Sequence, residues 1–424
     1  MAGDVSSEGL HPEAPKVAVF HPGTQHSWQT ARALAQLDRL AWYATSIYYR
    51  PGRWPYMLER IPGPLGRRLG SEFRRFQADG LDPALVRSFG LHEWLERLAF
   101  RAGFRGLATA LDKRGNRAFG LGLERQIASD DPFALWGYNN SSLSAFRLAK
   151  RHGRTCVLDR TVGDPRAHNR AMLELQERYG DWFLQRGVQD DQEIIDNAAQ
   201  EHALADRILV GCPFAARTVA EFSPADVTRK VEVLEYCFDA VLYHAIPPPR
   251  PVDRTGPVKF LFLGLAIPRK GIHHVLEAIE RLPASEASLT VVGNLGIPEA
   301  VWSRYRDRVT HIPTVPRAAV PRIMAEHDVL LFPTYFEGAG IVLYEALASG
   351  MALIQTDRAA LAVTPDTGVL LDRPDSEMLL EAMRRPIDER DLLDHWRCHA
   401  QAESAKYRFA GYRDRIAALL ERIA

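Results

Sequence analysis

Short apolar runs alternate with amphipathic segments along most of the chain. Residues 16–20 (KVAVF) read as a buried strand, followed by the loop HPGTQHSWQT and by apolar positions at helical spacing over 31–40. The alternation returns with strands over 40–47, 133–138 (FALWGY), 154–158 (RTCVL), 206–211 (DRILVG) and 231–234. Helices are expected over 139–151, 192–205 and 213–222. Unbroken apolar runs suit strands of a parallel sheet covered on both faces, and the 3.6-residue periodicity between them suits crossover helices. Residues 246–257 (IPPPRPVDRTGP) interrupt the pattern with five prolines, a stiff connector without helix or strand. Strands then restart over 259–264 (KFLFLG), 288–293 (SLTVVG), 309–312, 329–332, 351–356 and 368–371. Helical patterns run from Ile272, over 321–327 and 341–349, over 376–385 and 388–400, and through an amphipathic 402–423.

The chain of 424 residues is too long for one core, and the connector divides it. An α/β first domain is expected over 16–245 and a second over 258–400, both Rossmann-like, with residues 401–424 as a terminal helix. Residues 50–118 form a helical insertion in the first domain. It is basic, with 14 Lys and Arg against 7 Asp and Glu, and aromatics are interleaved, among them Trp54, Tyr56, Phe73, Phe76, Trp94, Phe100 and Phe104. Such a region either lies on an anionic bilayer or presents a solvated Arg face. Residues 1–15 lack the basic-then-apolar pattern of a signal peptide and read as a disordered tail.

The chemistry concentrates in 332–357, FPTYFEGAGIVLYEALASGMALIQTD. It reads as strand, glycine-bearing loop, helix and strand. The loop opens into a helix N-terminus, whose free N–H groups suit an anion. Gly338 and Gly340 let backbone approach a phosphate closely. Glu337 lies in the loop and Glu345 eight positions on, about two helical turns away. A glutamate facing a ligand accepts two hydrogen bonds from a vicinal diol such as a ribose. The plain alternative is a loop acid favoured by the dipole and a solvated surface acid. Arg269 and Lys270 precede another helix start, where two cations are unfavourable unless an anion neutralises them. At the end of the strand over 154–158, DRTVGDPRAH gathers Asp159, Arg160, Asp164 and His168 where α/β sheets bind ligands. Asp164 reads equally well as a sugar ligand or as a turn residue before Pro165. Gly23, His21 and His26 occupy the first strand's loop, where a histidine either touches ligand or packs.

The run EGAGIVLYEALASG, with Glu337 and Glu345 separated by seven residues, resembles the signature of the retaining GT-B glycosyltransferases of family 4, the glycosyl transferases group 1. The resemblance covers about 15–422, strongest over 259–372. It implies two Rossmann-like domains facing across a cleft, with the last helix crossing back to the first domain. It also implies a nucleotide diphosphate sugar as donor. Glu337 then sits at the sugar, Glu345 holds the ribose, and the amides of Gly338, Ala339, Gly340 and Ile341 hold the diphosphate. Gly264, Gly293 and Val315 lie beside the nucleotide, Gly23 close to the donor, and His26, Asp159 and Arg160 near the acceptor or sugar. Three departures stand out. Ala339 replaces an aromatic, Leu265 replaces an Arg of the usual G-R-x-x-x-x-K-G, and Asp164 falls where a His is common.

The resemblance implies a bacterial hexosyltransferase of polysaccharide or glycoconjugate synthesis, acting on a glycan, lipid-linked or small-molecule acceptor. Glu337, Asp164 and Lys270 are its candidate catalytic residues. No DxD-like metal pair stands out, so neither metal nor cofactor is expected. A sugar-nucleotide epimerase of the same fold, or a binder that has lost catalysis, are the alternatives. A phosphorylase fits poorly with so few lysines.

Composition adds exclusions. A formal net charge of zero gives no general attraction to nucleic acid. Arg far outnumbers Lys, so a lone Arg is weak evidence of function. Four widely spaced Cys (156, 212, 237, 398) lack a CxxC and suit a reduced, cytoplasmic compartment rather than a zinc site. No 18-residue apolar run is present, so peripheral contact through 50–118 is the only membrane attachment expected.

Overall fold

The structure is a computed structural model that describes residues 15–23, 26–74, 76, 80–89, 94–96, 99–100 and 103–422. The expected disordered tail therefore lies almost wholly outside the described residues. Two α/β sheets carry the chain. The first has seven strands: β1 (Val17–Phe20), β2 (Leu40–Thr45), β3 (Val86–Ser88), β4 (Ala134–Tyr138), β5 (Cys156–Arg160), β6 (Arg207–Val210) and β7 (Val231–Val233). Their order is β3-β2-β1-β4-β5-β6-β7. The second has six: β8 (Val258–Leu263), β9 (Ala287–Val292), β10 (Thr310–Ile312), β11 (Val329–Phe332), β12 (Ala352–Thr356) and β13 (Gly368–Leu371), in the order β10-β9-β8-β11-β12-β13. The pairings described are parallel, for example Val258 with Ala287 and Val329 with Ala352. The apolar runs are buried as expected: every residue of β1, β4, β5, β11 and β12 is buried. A strand with helices on both faces has no wet side on which to place polar residues. This is the GT-B class of α/β fold.

By its contacts the chain forms two compact units. One comprises residues 1–159, 204–207 and 413–424, the other 160–203 and 208–412. The proline connector 246–257 carries no helix or strand. It is fastened within the second unit: Val252 N donates to Asp394 Oδ1 (2.7 Å), and Arg254 pairs with Asp391 and Asp394.

Three local expectations need correction. Residues 50–118 are not all helical. They hold the helix Pro64–Arg74 and the start of Arg105–Ile127, but also β3, which pairs with β2 at the sheet edge. Tyr56 and Phe73 are buried in a satellite cluster with Ile47, against which Phe76 and Trp94 pack. Four of the seven aromatics thus serve a core, while Trp54, Phe100 and Phe104 stay exposed. The helix expected over 388–400 runs Arg390–Ser404, and the one expected over 402–423 shortens to Phe409–Leu420 because a turn takes its first residues. Finally, a helix unforeseen in the sequence, Pro165–Tyr179, follows β5. Asp164 is its N-cap and Pro165 its first residue, a pairing with well-understood causes: the cap accepts an orphan N–H and proline presets φ.

Candidate functional site

The site is built in the second unit, at the C-terminal ends of β8, β9 and β11. Gly264 and Gly293 end β8 and β9 side by side, with Gly264 N donating to Val292 O (2.8 Å). After β8 the chain passes through Leu265 to Pro268 and reaches Arg269 and Lys270, just before the helix Ile272–Glu280. After β11 it passes through 333–341 to the helix Val342–Ala348. Two backbone-linked contacts hold these loops together. Tyr335 N donates to Arg269 O (2.9 Å), and the Thr334 hydroxyl donates to the same oxygen (3.2 Å).

That docking places Glu337 between both cations. Its Oε2 lies 3.2 Å from Arg269 and 3.4 Å from Lys270. Arg269 also donates to the Phe336 carbonyl. The helix start after Lys270 thus already has an internal anion. One carboxylate against two cations leaves an excess positive charge, in a place that is only partly exposed and so weakly screened.

The next residues supply donors. Among the described residues, the amides of Gly338, Ala339, Gly340 and Ile341 find no acceptor in the chain. Gly340 has φ +78°, a conformation that costs glycine little. Gly338 is glycine for a different reason than phosphate approach. A Cβ there would lie 1.7 Å from the Thr161 carbonyl oxygen, so the loop packs directly onto the segment after β5. Cys212 adds a second anchor, donating from its thiol to Gly338 O (3.0 Å), and burial pushes that thiol up to about 11. Ala339 is buried, and its carbonyl accepts from Ala360 N (2.7 Å), so the missing aromatic leaves the loop braced.

Glu345 lies in the helix and meets a different environment. The Tyr243 hydroxyl lies beside its carboxylate, and Arg317 and Asp239 are its charged neighbours. Burial raises its pKa to about 7 against the opposing pull of Arg317 and Tyr243. Val315 is half-buried against the core two residues before Arg317. Neither Tyr243 nor Arg317 was legible in the sequence: a tyrosine before the proline connector and one Arg among many carry no local signal.

The remaining candidates fall elsewhere. Asp164 is fully buried, and its carboxylate accepts from Arg166 N (2.9 Å), Arg166 Nε (2.9 Å) and an Arg166 terminal nitrogen (2.8 Å). Those bonds hold its pKa below the usual carboxylate range despite burial. In this structure it caps the helix Pro165–Tyr179. Arg160 is buried, donates to Gly163 O (2.7 Å), and has Asp164, Glu201 and Asp190 for charged neighbours. Gly23, His26 and Asp159 belong to the first unit. There Gly23 N donates to His21 Nδ1 (3.0 Å), and Asp159 accepts from Trp136 Nε1 (3.3 Å). His168, four residues beyond Asp164, lies on the newly found helix. Its Nδ1 is 3.1 Å from Asp190 and its ring packs edge-on to Phe336, next to Glu337.

Comparisons with known proteins agree with this geometry. The family model of the glycosyl transferases group 1 matches residues 249–403. Lipopolysaccharide glucosyltransferase WaaG of Escherichia coli K12 is 30% identical over 156 residues, 35% of this chain and 40% of that protein. The chain spans about two fifths of the length of the curated relatives it matches. Among solved structures, sucrose-phosphate synthase from Thermosynechococcus elongatus aligns with a TM-score of 0.63 at 15% identity, over 96% of this chain and 99% of that one. HepE of Anabaena in complex with UDP aligns at 0.59 and 14%, over 96% and 100%. At such identities the likeness is one of fold.

Proposed function

We propose that this chain is a glycosyltransferase, a reading supported by the match of residues 249–403 to the glycosyl transferases group 1 model and by the GT-B fold. It moves a sugar from a nucleotide diphosphate sugar to a hydroxyl acceptor. The observation that carries the reading is the pairing of Arg269 and Lys270 with Glu337 beside four unpartnered amides. When the anomeric C–O bond breaks, charge develops on the departing diphosphate. Fixed cations and amides already in place lower that barrier without reorganising. The donor's phosphates take up the cationic charge that Glu337 only half neutralises, which leaves its carboxylate free to orient the sugar. Glu345, next to Tyr243, accepts the ribose hydroxyls. The acceptor oxygen attacks from the leaving-group face, its proton passes to the diphosphate, and configuration is retained. Lys270 and Arg269 make a metal unnecessary. The bacterial glycoconjugate setting rests on the named activity of the lipopolysaccharide relative.

A thermal-shift panel of UDP-, GDP- and ADP-sugars, followed by donor hydrolysis without acceptor and in EDTA, tests this. One donor class should stabilise the protein and turn over slowly, with the anomeric configuration of the first-formed product retained by NMR. No stabilisation by any of them at millimolar concentration would refute the reading.

The membrane expectation narrows to a shorter stretch. Trp54, Met57, Ile61 and Leu65 are exposed alongside exposed Arg53, Arg60, Arg67 and Arg68. Apolar and cationic side chains so interleaved suit the headgroup region of an anionic bilayer. Co-sedimentation with phosphatidylglycerol vesicles should fall when Arg67 and Arg68 are both changed to Glu. Equal binding by wild type and variant would remove the membrane from the account. Among the described residues no helix is long and apolar enough to cross a membrane.

A further inference from the structure

A cavity of about 540 Å³ adjoins the reaction centre, and its lining is unlike the rest of the site. One wall is the loop after β8 and the loop after β9. A parallel bridge between Ala266 and Leu295 ties them, with Ala266 N donating to Asn294 O and Gly296 N to Ala266 O, both 2.9 Å. Extended backbone alternates its side chains. Ala266 is fully buried, whereas Leu265 and Ile267 on either side of it line the cavity with Leu295. The opposite wall is the helix Pro165–Tyr179 and the segment that follows, contributing Met172, Leu184 and Val188. That segment is also fixed. Trp182 is buried in the core and stacked on Tyr305, and Asn169 exchanges two hydrogen bonds with the backbone of Asp190 (2.9 and 2.6 Å).

Leu265 is 48% exposed and Leu184 is 63% exposed. Apolar side chains wetted inside a rigid concavity gain free energy when a ligand covers them. The polar members of the lining are few. They include Arg269, which holds Glu337 at 3.2 Å, and His168, whose Nδ1 lies 3.1 Å from Asp190.

Resting on the glycosyltransferase reading, the geometry points to this cavity as the acceptor site, for an acceptor that carries an alkyl or aryl group close to its reacting hydroxyl. The hydroxyl lies towards Arg269 and His168, and the apolar group covers Leu265, Leu295 and Leu184. A free sugar would leave those leucines wet and would bind weakly. Leu265, a departure from the family pattern on the donor side, thereby gains a use on the acceptor side.

The test compares methyl, phenyl and n-octyl β-glucosides on the full chain by calorimetry, below the micellar concentration of the octyl compound. UDP binding is measured alongside. Phenyl or octyl glucoside should bind roughly tenfold or more tightly than methyl glucoside, since each buried methylene adds several-fold. Whichever arm gains tells aryl from alkyl. Leu184→Glu should abolish the gain and Leu184→Met should keep it, with UDP affinity the same in both. Equal binding of the three glucosides, or a preference that survives Leu184→Glu, overturns the cavity's assignment. Loss of UDP binding by wild type would instead overturn the glycosyltransferase reading, because the glucoside preference is read without donor.

Discussion

Glu337 and Glu345 stand eight residues apart and end in opposite electrostatic surroundings. Glu337 is partly exposed and bracketed by Arg269 and Lys270, so its charge is neutralised from two sides. Glu345 is half-buried beside a tyrosine hydroxyl, with Arg317 as its cationic neighbour, and its pKa rises to about 7. The same side chain thus serves as a fixed counter-charge in one place and as a group near its titration point in the other. Spacing proposed both as ligands; only their neighbours distinguish what each can do. A carboxylate clamped by cations gives up those cations to a stronger anion. A half-buried carboxylate with a single cationic neighbour stays ready for neutral donors such as hydroxyls, provided it is ionised.

The largest effects are expected at the clamp, and they should have opposite signs for binding. Lys270→Ala removes a cation from the leaving group, so kcat should fall by about 10²–10³-fold and UDP affinity should fall with it. Glu337→Ala should also lower kcat strongly, but it frees both cations, so UDP should bind as tightly as before or more tightly. Steady-state kinetics with calorimetry of UDP separates the two. A pure loss of nucleotide affinity in the Glu337 variant would break the contrast drawn between the acids.

A smaller effect is expected at Glu345. Glu345→Gln should raise the donor KM by roughly tenfold or more, since a hydrogen bond to a charged group is being lost, with kcat less affected. The pH dependence sharpens the comparison. The folded pKa of about 7 lies above the ordinary glutamate value, so the native chain binds the extra proton between about pH 4.5 and 7. Burial of Glu345 therefore costs no stability below the unfolded pKa, and the cost appears as pH rises towards 7. Ligand-free protein should lose thermal stability over that window, and Glu345→Gln should flatten the loss. Donor affinity should run the other way, improving as Glu345 ionises near pH 7. An unaltered pH profile of donor KM in the variant would show that Glu345 does not face the ribose.

Much of this arrangement was legible locally. The apolar runs of β1, β4, β8, β11 and β12 announce buried parallel strands, because burial on both faces removes polar alternation. Glu337, the Gly338–Gly340 loop, and the Arg269–Lys270 turn could be named from residue type and spacing. Other features had local signals that compete with longer-range packing. Asp164 before Pro165 reads as a ligand or a turn residue, whereas in the structure it caps a helix and its carboxylate bonds Arg166. Tyr56, Phe73 and Trp94 look like surface aromatics in a basic stretch, yet three rings meeting edge-to-face make a satellite core instead.

What the sequence determined alone is the class of fold and the chemistry on offer: parallel sheets, two cations before one helix, two acids and glycines before another. Periodicity and local backbone preference are properties of neighbouring residues, so a linear reading reaches them. Tertiary structure decided which charges meet, as when the Tyr335–Arg269 backbone contact brings Glu337 to both cations. It also decided that Glu345 lies beside Tyr243, 102 residues earlier in the chain, and that Leu265 and Leu184 line one cavity. Coulomb energy and desolvation depend on distance through space and on what excludes water, and neither is encoded in the separation of residues along a chain.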